Sequence, residues 1–107
     1  MSPAEILRAY VDVHNQGVRA GEFRRLAALL AEYASMRFHG IPAGPFEGAQ
    51  AILDAFEARP PDDELVILEQ AGCEAVYAWG REPERIAGRL RITVARGRIA
   101  AIDVETA

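Results

Sequence analysis

The sequence predicts an α+β fold in one domain, residues 1–107, with three helices on one face of a curved antiparallel sheet. Three observations predict it. Apolar residues recur at helical spacing in the first third, the period changes to two near Tyr33, and the last third alternates between apolar and polar residues across short turns. A chain of 107 residues, 50% of them hydrophobic, has enough apolar surface for one core and not for two.

Each element has its own signal. Ser2-Pro3-Ala4-Glu5 is a capping box with proline at the first helical position: serine hydroxyl and glutamate carboxylate each satisfy a backbone N–H that a helix start leaves free. Ile6, Leu7, Tyr10, Val13, His14, Gly17 and Val18 form the apolar stripe of this first helix, which runs to Ala20 and breaks at Gly21. A second helix is predicted over residues 22–32, with Phe23, Leu26, Leu29 and Leu30 inward. Ala34, Met36 and Phe38 then alternate with Ser35, Arg37 and His39, the pattern of a half-buried strand. Gly40-Ile41-Pro42-Ala43-Gly44-Pro45 is a loop by composition. Residues 48–59 form the third helix, apolar along Ala49, Ile52, Leu53 and Phe56, and Pro60-Pro61 ends it because the residue before a proline is pushed out of the α region. Residues 65–70, 74–80, 86–95 and 98–104 are strands, joined as hairpins through Ala71-Gly72, Glu82-Pro83-Glu84 and Arg96-Gly97.

Composition excludes several functions. A net charge of −4 argues against nucleic acid or an anionic membrane surface as partner. All 12 basic residues are arginine, so Schiff-base chemistry and a lysine-bearing phosphate loop are both out. Cys73 is alone, which suits a reducing cytoplasm and removes any Cys-x-x-Cys motif. No apolar run approaches the roughly twenty residues of a membrane span, and no leader peptide is expected. His14 and His39 are not joined by a ligand spacing, so neither a metal nor another cofactor is expected.

Certain local strings, in this order of elements, resemble the NTF2-like superfamily, which includes nuclear transport factor 2, ketosteroid isomerase, limonene epoxide hydrolase and the SnoaL-type polyketide cyclases. The strings are Ala20-Gly21-Glu22, Leu29-Leu30-Ala31-Glu32-Tyr33-Ala34, Gly48 at the start of the third helix and Arg96-Gly97-Arg98-Ile99 in the final hairpin. The resemblance covers nearly the whole chain. It implies a cone-shaped half-barrel enclosing an apolar pocket, and a homodimer through the convex face of the sheet. It does not imply a reaction, because unrelated functions are grafted on this fold. Counted from the Ala20-Gly21-Glu22 junction, the isomerase's oxyanion-binding tyrosine falls on His14 and its general-base aspartate on Phe38. Its second acid falls on Leu90 or Arg89. Two pocket aromatics align with Tyr77 and Trp79. The resemblance therefore implies a retained cavity without the isomerase's pair of acids. The hydrolase's Arg-x-Asp reads Arg89-Leu90-Arg91 here, and no carboxylate is clearly placed for a cyclase.

The residues themselves leave two functional readings, beside a third in which the chain is a purely structural dimerisation module whose cavity is filled by its own aromatics. Tyr10, His14, Phe38, Tyr77 and Trp79 line one cavity that holds a small apolar molecule; alternatively His14, helped by Tyr10, serves as acid or base in an isomerase, hydrolase or cyclase. For His14 the plain alternative is a core histidine bonded to a backbone carbonyl or to a partner chain. His39 is out of phase with Met36 and Phe38 and faces away from the pocket. Asp103 points to the convex side with Arg89 and Arg91, where an ion pair across strands is the ordinary use. Together with Cys73 and Ala75, these residues are read as the dimer face.

Overall fold

Ser2 starts the first helix as its capping box dictates. In the computed structural model, which describes residues 1–107, the Ser2 N–H donates to Glu5 Oε1 at 2.9 Å and the Glu5 N–H donates to Ser2 Oγ at 3.2 Å. Helix α1 spans Pro3–Ala20 and closes at Gly21, whose φ of 74° is the left-handed conformation glycine adopts without penalty. Ile6, Leu7, Tyr10, Val11, His14 and Gly17 are its buried residues. Val11 thus takes the fully buried place expected of Val13, which packs only partly against the core.

The second helix is corrected. Only a short 3-10 helix, Arg24–Ala28, forms, and strand β1 already begins at Leu30 and runs to His39. Leu29, Leu30 and Ala31 have good helix propensity, but a neighbouring strand claims their backbone. The Ile99 N–H donates to the Leu29 carbonyl at 2.8 Å, and Leu30 pairs with Ile99. Tertiary pairing overrides a weak local preference.

The rest follows as β2 (Phe46–Glu47), α2 (Ala49–Ala58), β3 (Leu65–Ala71), β4 (Glu74–Trp79), β5 (Glu82–Ala95) and β6 (Arg98–Thr106). Strand β2, two residues paired with Ser35 and Met36, is too short to carry a period and was not expected. The turn before β5 lies at Gly80-Arg81, so Glu82, Pro83 and Glu84 belong to the strand. Pro83 is tolerated there because the β4–β5 pairing is irregular between Ala78 and Trp79, where no ladder N–H is required of it.

The six strands form one curved, unclosed sheet in the order β2-β1-β6-β5-β4-β3. All its pairs are antiparallel except β1 with β6, which is parallel. The expected all-antiparallel sheet is corrected at that one junction: β6, the last strand, lies beside β1 and runs with it. The helices cover the concave face, and the core sits between them around Leu26, Ile52, Ile92, Ile99 and Ile102.

The convex face carries charge in rows. Arg37, Asp103, Arg91 and Glu74 stand side by side across β1, β6, β5 and β4, and His39, Glu105 and Arg89 form the next row. Arg37 pairs with Glu47 and Arg91 with Glu74, each at 3.8 Å. Two residues assigned to this face lie elsewhere. Ala75 is 3% exposed and pairs with Leu90, which faces the concave side; with Tyr77 inward, the period of two carries Ala75 inward as well. Cys73 sits in the β3–β4 turn, partly buried against the core.

Candidate functional site

Helix α1 contributes Tyr10 and His14, one turn apart on its buried stripe, to the wall of a cavity of about 490 Å³. The sheet supplies Phe38, Tyr77, Trp79 and Leu90, α2 supplies Phe56, Arg59 follows directly after that helix, and the loop after β1 forms a lip with Ile41. Of the 20 lining residues, 14 are hydrophobic, and Arg59 is the one that carries a permanent charge. No carboxylate lines the cavity. The size and character fall within the range of small-molecule pockets.

All five residues singled out from the sequence border this one space: Tyr10, His14, Phe38, Tyr77 and Trp79. Three of them, His14, Tyr77 and Trp79, form a connected aromatic wall. Tyr77 meets Trp79 edge-on with ring centroids 5.6 Å apart, and Trp79 lies 6.5 Å from His14. Phe23 and Phe56 flank the imidazole, each at 6.3 Å. Gly17 makes room for Phe23, because a Cβ there would stand 2.4 Å from its ring. Trp79 is 38% exposed and Ile41 45%, which marks where the cavity reaches solvent.

Buried polar groups in an apolar wall are pushed toward their neutral forms. Burial raises the Tyr10 hydroxyl far above its ordinary range, and the neighbouring Tyr77 adds to the effect. Burial raises the Tyr77 hydroxyl too. It lowers the His14 imidazole, opposed by the hydrogen bond to Asn15 and by the carboxylates of Glu64 and Asp63. At neutral pH the cavity therefore presents two phenols and a neutral imidazole.

The partner of His14 is not a backbone carbonyl. Its Nδ1 lies 3.0 Å from Asn15 Oδ1, and Asn15 is in turn anchored to the backbone of Leu65 at the start of β3. Sequence reasoning missed Asn15. The available signal was a polar amide beside the apolar stripe in a helix interior, a position such residues hold when their side chain has a specific bond to make. Phe38 and Leu90, where the resemblance would put two acids, both border the cavity, whereas Arg89 is exposed on the convex side. His39 is also on the convex side, with Nε2 at 3.1 Å from Asp103 Oδ1. Asp103 thus meets His39 rather than Arg89 or Arg91. No group of three or more His, Cys, Asp or Glu side chains is arranged to hold a metal ion.

No protein-family model matches the chain, and no curated protein matches its sequence. Solved structures do match. An NTF2-like protein of unknown function from Cytophaga hutchinsonii superposes with a TM-score of 0.71 at 15% identity, covering 100% of this chain and 91% of that one. A candidate ketosteroid isomerase from Kribbella flavida gives 0.66 at 20% identity, covering 100% and 82%. A candidate polyketide cyclase from Sinorhizobium meliloti gives 0.61 at 17% identity, covering 90% and 93%. At such identities the likeness establishes a fold and not a reaction.

Proposed function

From its NTF2-like fold we infer that this chain binds a small apolar molecule in the cavity between α1, α2 and the concave sheet face. One observation carries the reading: a space of about 490 Å³ walled mostly by aromatic and aliphatic side chains, with a few polar groups, one charged residue (Arg59) and no carboxylate. Acid–base catalysis of the isomerase kind needs a base positioned to move a proton and donors to hold an oxyanion. Phe38 and Leu90 stand where that resemblance would put the acids. Binding, rather than turnover, is what this set of side chains supports.

Trp79 makes the test direct, because it is the one tryptophan of the chain and it borders the cavity. Titration with 1-methoxyadamantane, a compact apolar cage transparent where indole absorbs, is expected to shift the Trp79 emission to shorter wavelength and saturate. No spectral change and no heat of binding up to the solubility limit would refute the reading.

The chain also associates, in this reading, with a second copy through the convex face of the sheet. The support is the rows of alternating charge there, which a two-fold related copy can meet with opposite signs. Sedimentation at micromolar concentration is expected to show a dimer in about 0.1 M salt that dissociates toward monomer near 1 M, as the Debye length falls from about 10 to 3 Å. A monomer at both salt concentrations would exclude it.

A further inference from the structure

Asn15 decides which nitrogen of His14 carries the proton. Its amide is held at both ends by one residue: Nδ2 donates to the Leu65 carbonyl at 2.9 Å, and the Leu65 N–H donates to Oδ1 at 2.8 Å. Turning the amide over would set donor against donor and acceptor against acceptor, so the backbone of β3 settles its orientation. Oδ1 lies 3.0 Å from His14 Nδ1, and an amide oxygen only accepts. Nδ1 is therefore the protonated nitrogen, and Nε2 of the neutral ring presents a lone pair.

His14 is 4% exposed and Nε2 makes no hydrogen bond within the protein. It is nevertheless not sealed in, since no buried side-chain nitrogen or oxygen is left both enclosed and unpartnered, and the cavity is the space His14 borders. A lone pair on an apolar wall loses free energy unless a donor reaches it. The Tyr10 and Tyr77 hydroxyls rotate and can donate or accept, so they do not discriminate between ligand groups. Nε2 does.

We propose that the cavity selects an apolar molecule carrying a hydroxyl, and that this hydroxyl donates its hydrogen bond to His14 Nε2. The inference rests on the ligand-binding reading above and narrows its ligand class. An ether or ketone of the same shape would bring lone pair against lone pair.

The test compares 1-adamantanol with 1-methoxyadamantane on the intact protein, by titration calorimetry and Trp79 emission. One net hydrogen bond corresponds to a preference of about five- to tenfold for the alcohol. His14→Phe keeps a ring in place and removes the acceptor; it should lose the preference for the alcohol over the ether. Equal affinity for the two probes in the unaltered protein overturns the proposal and leaves the ligand-binding reading intact. A preference that survives His14→Phe also overturns it, by assigning the hydroxyl to a tyrosine. Binding of neither probe overturns both. If His14→Phe does not fold, nitrogen NMR of the unaltered protein decides. The expected result is a protonated Nδ1 and an Nε2 resonance moved upfield by 1-adamantanol and not by the ether. A protonated Nε2, or an unmoved resonance, refutes the assignment.

Discussion

Gly88→Ala is expected to destabilise the protein by about 3 kcal/mol, the upper part of the range for forcing extra volume into a packed interior. Gly88 is buried in β5, and a Cβ built there would stand 2.0 Å from the Glu105 carbonyl oxygen and 3.1 Å from the Tyr77 hydroxyl. A flexible side chain could swing away from a new methyl group. The Glu105 carbonyl is part of β6, whose ladder with β5 runs from Gly88 and Thr106 to Ala95 and Arg98, so relief requires the strands to separate. For a domain of this size, a loss of about 3 kcal/mol lowers Tm by roughly 12–24 °C. Urea denaturation of Gly88→Ala beside Thr93→Ala, an exposed change on the same strand, separates this clash from any general cost of altering β5. A Gly88→Ala midpoint no lower than that of Thr93→Ala would mean that the close approach of the two strands is not a constraint.

Asn15→Ala should cost about 2 kcal/mol, because it strips partners from both backbone groups of Leu65 and from His14 Nδ1. The same site makes stability depend on pH. Burial holds the folded-state pKa of His14 below its ordinary value. Above the unfolded-state pKa, near 6.5, the ring is neutral in both states and its contribution is complete. As pH falls below that value the unfolded chain takes up a proton before the folded one does, so stability declines until the folded-state pKa is passed. Asn15→Asp keeps an acceptor for Nδ1 and for the Leu65 N–H but adds a negative charge, which raises the folded-state pKa of His14. Its stability should therefore fall less steeply between about pH 7 and 5 than that of the unaltered protein. Chemical denaturation at a series of pH values measures both slopes. A slope as steep or steeper in Asn15→Asp would show that His14 is not the group responsible.

How much of this was legible beforehand depends on the range of the interaction concerned. Helix α1 was readable to its ends because its signals act within a few residues: the Ser2–Glu5 box, Pro3 and the left-handed Gly21. The alternation of Met36 and Phe38 with Arg37 and His39 gave the correct faces of β1, since a strand's period of two leaves no third choice. Five of the ring-bearing residues around the cavity were singled out in this way, Tyr10 and His14 on a helical stripe and Phe38, Tyr77 and Trp79 from strand alternation and family resemblance. Phe46 and Phe56 were not. By itself, then, the sequence determined the fold class, the start and stop of α1 and the two faces of β1. Val11 and Ala75 turned out buried where Val13 was expected inward and Ala75 outward.

Only the tertiary structure decided the rest. Leu29 to Ala31 are helix-forming by propensity, yet β6, some seventy residues later, offers their backbone a ladder, and no local rule weighs one against the other. The parallel placement of β1 beside β6 and the two-residue strand β2 depend on the same kind of distant pairing. The chemistry of His14 depends on it most. Which nitrogen is protonated follows from an amide clamped by Leu65, fifty positions along the chain, and such a contact has no periodicity to announce it. Hydrophobic period and capping are properties of neighbouring residues, whereas hydrogen-bond partnership across the core exists only once the chain has folded.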